Sequence, residues 1–240
     1  MPTAIIIGAS SGIGREIAVQ LCARGFRIGV AARNQHALQD LSRVLGPEKC
    51  VVRAFDVSQV ASALEGFHQL HDELGEIHFV YLVAGIGFPN PDLQWSLEEP
   101  TLSVNCLGFA ALATASIQIF CKQGYGHLVA VTSVAAVRPS GQAPAYGASK
   151  VFGSSYIKAL RYWIRRKSLP IYVTEARPGF VDTAMMKARK PFWVVSAARA
   201  AAEIIAATDR RKRLVYVPHR WWFVAQLLRM MPESLYARIA

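Results

Sequence analysis

Two periods of apolar residues alternate along this chain. Short runs rich in Ile, Val and Ala, of the kind that form buried strands, occur at Thr3–Gly8, Phe26–Ala32, Cys50–Phe55, Phe79–Ala84, His127–Ser133, Leu169–Ala176 and Leu214–Val217. The stretches between them carry apolar residues at helical spacing. One runs through Ile17, Leu21 and Cys22, and others span His36 to Val44, Ser58 to Leu74 with Ser58 as N-cap, Val104 to Lys122, Ala145 to Lys167, and Ser196 to Ala207. Strand alternating with helix predicts a parallel sheet covered on both faces. The expectation is a single α/β domain over residues 1–217, doubly wound in three layers around a seven-stranded parallel sheet, with a helical extension over residues 218–240.

Three segments depart from this order. Phe88-Pro-Asn-Pro91 predicts a loop. From Met185 to Trp193 methionines, lysines, a proline and aromatics follow no period, which predicts a mobile loop over the site with Met186, Phe192 and Trp193 meeting an apolar ligand. His219 to Met231 is a greasy segment between Arg220 and Arg229, too short for a bilayer, which takes about 20 residues. Such a segment suits packing on its own core, covering a partner subunit, or peripheral contact with a membrane surface. The helices Val104–Lys122 and Ala145–Lys167 are apolar over much of their circumference, and this predicts a homodimer or homotetramer.

Composition narrows the classes. With 240 residues, 52% of them hydrophobic and 18% charged, the chain is long enough for one large core and too apolar for disorder. A formal charge of +11 raises nucleic acid, anionic membranes and polyanionic ligands as partners. The basic residues are spread along the chain and no nucleic-acid-binding motif accompanies them, so nucleic acid is set aside. Cys22, Cys50, Cys106 and Cys121 show neither a C-x-x-C nor a zinc-like spacing with histidine, so no metal site is expected and the thiols read as reduced. The first strand follows Met1 with no basic stretch, hence no signal peptide is read and the expected compartment is the cytoplasm.

Candidate chemistry lies at the carboxyl ends of the strands. Gly8, Gly12 and Gly14 follow the first strand and open a helix, a turn that lets backbone N–H groups approach a pyrophosphate. At the end of the second strand, where an acid would hold the ribose hydroxyls of NAD, stand Ala31 and Ala32 and then Arg33. Arginine accommodates a 2′-phosphate, so NADP(H) is expected over NAD(H), with Arg33 and Asn34 contacting that group. Tyr146 and Lys150 are four apart on one helical face, and Pro144 places Tyr146 in the helix's first turn, where the dipole favours a phenolate. Ser133 ends the strand before them.

Taken together and in order, Gly8-Ala-Ser-Ser-Gly12-Ile-Gly14, Asp56-Val57, Ala84-Gly85, Asn105, Ser133, Tyr146-x-x-x-Lys150 and Pro178-Gly179-x-Val181-x-Thr183 resemble the short-chain dehydrogenase/reductase family, which has a Rossmann fold. The likeness covers Thr3 to about Val217. It implies that Tyr146 is the acid that protonates a carbonyl oxygen, that Lys150 lowers its pKa and holds the nicotinamide ribose, that Ser133 orients the substrate oxygen, and that Asn105 supports a water-linked proton relay to Lys150. The implied cofactor contacts are Gly8, Ser10, Ser11, Gly12, Ile13 and Gly14 in the first turn, and Asp56 and Val57 at the adenine. Ala84 and Gly85 follow the fourth strand, and Pro178, Gly179, Val181 and Thr183 flank the nicotinamide. Two departures stand out: Ile7 occupies a place where the family usually has threonine, and Leu82-Val83 replaces a usual pair of asparagines, so packing is expected to substitute for hydrogen bonds there.

The activity so implied is hydride transfer between NADP(H) and the carbonyl or alcohol of a lipophilic small molecule. The alternative is a non-catalytic dinucleotide-binding sensor or scaffold on the same fold, against which the intact Ser133, Tyr146 and Lys150 argue.

Overall fold

Strand β1 (Thr3–Ile7) is buried along its length, with Ile5 and Ile7 on one face of the sheet and Ala4 and Ile6 on the other. A strand covered on both faces is apolar at every position, and this is why its sequence shows a run and no alternation. The computed structural model describes residues 1–186 and 191–238. Around β1 lie β2 (Arg27–Ala32), β3 (Cys50–Ala54), β4 (Phe79–Leu82), β5 (Gly126–Val131), β6 (Ile171–Pro178), the two-residue strands β7 (Val181–Asp182) and β8 (Val195–Ser196), and β9 (Leu214–Val217). Seven of them form one parallel sheet in the order β3-β2-β1-β4-β5-β6-β9, while β7 and β8 pair apart. Strand order reverses between β1 and β4, and such a reversal opens a crevice at the carboxyl ends.

Helices α1 (Gly12–Ala23), α2 (Gln35–Leu45) and α7 (Ala197–Asp209) pack through Ile17, Leu21, Leu38, Leu41 and Ile204 on one face. Helices α3 (Val60–Leu74), α5 (Phe109–Gln123) and α6 (Pro144–Lys167) cover the other through Phe67, Leu70, Leu112, Phe120 and Ile157. This is the expected three-layer doubly wound fold.

The helix before β5 is longer than its pattern predicts. Helix α4 (Trp95–Leu102) precedes it and runs through a π-helical turn, Ser103–Gly108, into α5. Pro100 hides the first part from a sequence reading, and tertiary bonds replace what proline forgoes: Asn90 accepts from Gln94 N and donates to Glu98, whose carboxylate in turn accepts from Ala145 N. By length and composition Trp95–Gln123 passes as a membrane span, but 61% of its most apolar window is buried inside the fold.

One expected boundary moves. Ser58 is not the cap of α3; its N–H and hydroxyl both donate to Asp56 Oδ1, which delays the helix to Val60. The C-terminal extension forms α8 (Trp221–Met230) and α9 (Glu233–Tyr236). Of the three roles open to it, packing on its own domain holds for one face: Trp221 and Ala225 are buried with Val134 and Tyr216. The opposite face leaves Trp222, Phe223, Leu227 and Met230 exposed.

Candidate active site

A cavity of about 1120 Å³ opens along the carboxyl ends of the sheet. Its wall includes Gly8, Ser11, Gly12 and Ile13 from the first turn, Arg33 after β2, Asp56 and Val57 after β3, and Ala84 and Gly85 after β4. Ser133, Tyr146 and Lys150, then Pro178, Gly179, Val181 and Thr183, continue it. Three of the expected cofactor contacts are not on that wall. Ser10 and Gly14 lie behind it, and Asn34 is the N-cap of α2, its side-chain oxygen accepting from Ala37 N at 3.0 Å. The cap uses the side-chain oxygen, and the amide Nδ2, the donor a phosphate would need, takes no part in it.

The backbone fits a dinucleotide where glycine is required. Gly8 has φ of +95°, and a Cβ there would lie 2.5 Å from Ala84 N. A Cβ on Gly14 would sit 2.1 Å from the Gly8 carbonyl oxygen, which fixes how closely α1 follows the turn. Ser11 caps α1 in extended conformation but its side chain makes no capping bond, so the helix start keeps its N–H groups for an anion. Ala84 N and Val83 N donate to the Ile7 carbonyl at 2.8 and 2.9 Å, so backbone bonds brace the two positions where the usual polar side chains are replaced.

At the far end Arg33 is exposed, with Nη1 3.8 Å from Asp56 Oδ2. That carboxylate is already committed through Oδ1 to Ser58. The guanidinium therefore sits at the rim with one loose partner.

The chemical groups gather where β5 meets α6. Ser133 caps a short 3₁₀ turn (Val134–Ala136), accepting from Ala135 N at 3.1 Å, which leaves its O–H for another acceptor. The Tyr146 phenol lines the same wall. Burial pushes the Tyr146 pKa up, and the nearby Ser133 hydroxyl, which favours the phenolate, works against that shift. Gly87 makes room for the ring, since a Cβ there would lie 2.2 Å from Tyr146 Cδ2. Lys150 is buried, its Nζ 5.6 Å from the centre of the Tyr146 ring. Desolvation lowers its pKa to about 8, with the Cys106 thiol opposing the shift.

Asn105 does not reach Lys150 through its side chain. Its Oδ1 accepts from Ile86 N at 2.9 Å, while Nδ2 donates to Ile86 O at 2.7 Å and to Ser149 Oγ at 2.9 Å. Two bonds to one backbone unit clamp the loop after β4 against α6, and the π turn aims the side chain there. Asn105 thus positions the chain beside Tyr146 and Lys150.

Other residues near the site escaped the sequence reading. Gly87 carried no motif of its own. Arg138, Trp221, Leu228 and Tyr236 also line the cavity, the last three from the C-terminal extension. Of the loop residues expected to face a ligand, Met186 lines the wall, but Phe192 and Trp193 do not. Phe192 instead stacks on Trp221 with ring centres 4.9 Å apart, and Trp193 meets the same indole edge-on at 6.2 Å. The middle of that loop, residues 187–190, lies outside the described residues.

Residues 2–192 match the family model of short chain dehydrogenases. The chain belongs to the short-chain dehydrogenase/reductase family, NAD(P)-binding oxidoreductases that act between alcohols and carbonyls. An uncharacterized oxidoreductase of Mycobacterium tuberculosis is 31% identical over 248 residues, covering 98% of this chain and 96% of the relative. A hydroxysteroid 11-beta-dehydrogenase 1-like protein of Xenopus tropicalis is 28% identical over 93% of this chain and 80% of its own length. Among solved structures, a Burkholderia phymatum short chain dehydrogenase/reductase in complex with NAD superposes with TM-score 0.86 at 20% identity, covering 94% of this chain and 92% of that one. One from Burkholderia cenocepacia in complex with NADP gives 0.84 at 22% identity, with 99% and 96% covered. At such identities these two speak to the fold.

Proposed function

We propose that this protein is an NADPH-dependent reductase of an apolar ketone or aldehyde, or the reverse alcohol dehydrogenase. The observation that carries the reading is the meeting of Ser133, Tyr146 and buried Lys150 in one cavity whose other end is Arg33. When bound, the nicotinamide dinucleotide supplies or accepts the hydride. Tyr146 gives its phenolic proton to the carbonyl oxygen, and Ser133 donates to that oxygen and fixes its place. The Lys150 ammonium stabilises the phenolate left behind. Buried among neutral groups, it acts in a low dielectric where a charge counts for more than in water. The preference for NADPH rests on Arg33 and on the absence of an acid at Ala31 and Ala32. An apolar substrate is supported by Phe88, Val134, Met185, Met186 and Leu228 on the wall.

The same reading assigns the exposed surfaces. Val151, Phe152, Tyr162 and Trp163 on α6 form the contact of a homodimer or homotetramer. The outer face of α8 carries Trp222, Phe223, Leu227 and Met230 between Arg220 and Arg229, and on a chain of charge +11 this suits an anionic bilayer surface beside the cavity mouth. The four cysteines are free, in keeping with the cytoplasm. Vesicles of anionic and of neutral lipid, sedimented with the wild type and with a Phe223→Ser, Leu227→Ser variant, test the membrane assignment; equal binding by both proteins refutes it.

The central test follows NADPH and NADH oxidation at 340 nm over a panel of apolar carbonyls, with Tyr146→Phe and Arg33→Ala beside the wild type. The expected result is turnover that is lost in Tyr146→Phe while NADPH still binds, and a preference for NADPH that collapses in Arg33→Ala. Turnover surviving in Tyr146→Phe removes its role as acid. NADPH binding with no turnover of any carbonyl shifts the reading to the sensor alternative.

A further inference from the structure

The cavity wall holds two buried donors with nothing to donate to. Among the described residues, Arg138 Nη1 and Trp221 Nε1 are the buried side-chain nitrogen or oxygen atoms that lack a hydrogen-bond partner, and both residues line the catalytic cavity. Buried polar groups in folded proteins are nearly always paired, so an orphan donor on the wall of a ligand cavity marks where a ligand's acceptor goes.

Arg138 is built to be held rather than to roam. Its guanidinium lies over the Tyr236 ring at 4.8 Å, and the Tyr236 hydroxyl donates to the Pro139 carbonyl at 2.9 Å, locking the ring beside the arginine's own backbone. Its Nη2 is 3.7 Å from Glu233, whose side chain is 92% exposed and hence a weak, screened partner. The Nη1 edge remains free. Trp221 is equally constrained: its indole covers Gly179, where a Cβ would lie 2.0 Å from the ring, and Phe180 and Phe192 pack against it. Val134 and Val137, just before Arg138 in the chain, share a packed cluster with Trp221, and Arg138 and Trp221 both line the cavity beside it.

Arginine and tryptophan side chains only donate, and one of these donors is charged. The complement is a group made of acceptors with a negative charge, set on a body that suits the apolar remainder of the wall. We propose that Arg138 is the specificity-determining residue of this site, binding the carboxylate of an oxo acid while Trp221 Nε1 donates at the same polar end. The inference rests on the reductase reading and names its substrate class. It also explains why the extension is part of the site: Tyr236 and Glu233 hold the arginine, and Trp221 supplies the second donor.

The test compares an oxodecanoic acid with its methyl ester, using the full chain and NADPH. The wild type is expected to favour the acid in kcat/KM by about tenfold to a hundredfold, mostly through KM, as befits a charged hydrogen bond to a group remote from the reacting carbon. Arg138→Met is expected to lower kcat/KM for the acid far more than for the ester, so that the preference for the acid is lost; Arg138→Lys, which keeps the charge, should restore part of the difference. A second arm needs no turnover: decanoate should raise the melting temperature of the wild type saturated with NADP, and should not do so for Arg138→Met. Equal kcat/KM for acid and ester in the wild type, or an equal loss on both in Arg138→Met, overturns the proposal. If neither compound turns over, the carbonyl panel above decides the reductase reading, and the decanoate arm still decides the carboxylate site: stabilisation lost in Arg138→Met upholds it, and stabilisation absent or unchanged refutes it.

Discussion

Replacing Arg177 with methionine should lower stability more than a substitution remote from the reacting groups would ordinarily do. Arg177 follows β6's core and turns back to Glu175 on the same face, Nε to Oε1 2.7 Å, with side chains 9% and 3% exposed. Thr132 donates to the same Glu175 oxygen at 2.8 Å, and Arg177 further donates to Ser154 and, at 3.2 Å, to Tyr216. Burial works against the guanidinium charge, but the bonds to Glu175 and Tyr216 outweigh it and hold the Arg177 pKa above its ordinary value. Methionine fills much of the volume yet leaves the Glu175 carboxylate buried without its cation. Breaking such a pair costs about 3–5 kcal/mol, which for a domain of this size is a fall of roughly 6–20 °C in melting temperature. Removing both charges, as in Glu175→Leu with Arg177→Met, should cost less than Arg177→Met alone, because no uncompensated charge remains. Urea and calorimetric unfolding of the two single variants and the double variant form the cycle. A loss below about 1 kcal/mol in Arg177→Met, or a double variant that loses the sum of the singles, would refute the reasoning. The network ties Thr132, next to Ser133, to Ser154, one turn beyond Lys150 on α6, so kcat should fall in the single variants as well.

Three further outcomes follow from the same structure. Gly179→Ala puts a methyl 2.0 Å from an indole that its neighbours hold in place, so about 1–3 kcal/mol of stability and a shift in tryptophan emission are expected; an unchanged melt and spectrum contradict it. Lys150 has its folded pKa lowered from 10.5 to about 8, so the folded state resists protonation and the wild type gains stability as pH rises from 8 to 10.5. At pH 7 Lys150→Met, free of that burden, should melt at or above the wild-type temperature, with the gap closing in alkali; a variant that melts lower at pH 7 rejects this. His127, buried beside Thr174 and near Arg211, has its pKa lowered from 6.5 to about 4, mainly by desolvation. The unfolded chain then binds more protons between those values, so stability present above pH 6.5 is lost as pH falls to 4, up to about 3 kcal/mol, and His127→Gln should flatten that slope in melts taken across the range.

How far the chain could be read ahead of its structure depended on whether a residue acts locally. Every strand of the main sheet showed itself as an apolar run, because a strand covered on both faces admits little else. The glycines of the first turn were legible for a similar reason: Gly8 needs a positive φ and Gly14 a bare Cα, and no other residue meets those conditions. Tyr146 and Lys150 were legible because four residues on a helix is a fixed spatial relation. Helix α4 was not, since Pro100 argues against it locally and only the bonds of Asn90, Glu98 and Ala145 outvote that argument.

The chain by itself therefore determined the fold class, the place of the dinucleotide turn and the triad of Ser133, Tyr146 and Lys150. Each rests on period, backbone sterics or short-range spacing. Only the tertiary structure decided the far wall of the cavity. Arg138 and Tyr236 are nearly a hundred residues apart, Gly179 and Trp221 more than forty, and Asn105 meets Ile86 and Ser149 through a π turn that leaves no composition signal. Those contacts come from how layers stack, and no window along the chain contains them. The same holds for the two faces of α8, apolar all round in sequence: packing buries Trp221 and Ala225 and leaves Trp222 and Phe223 to whatever the protein meets.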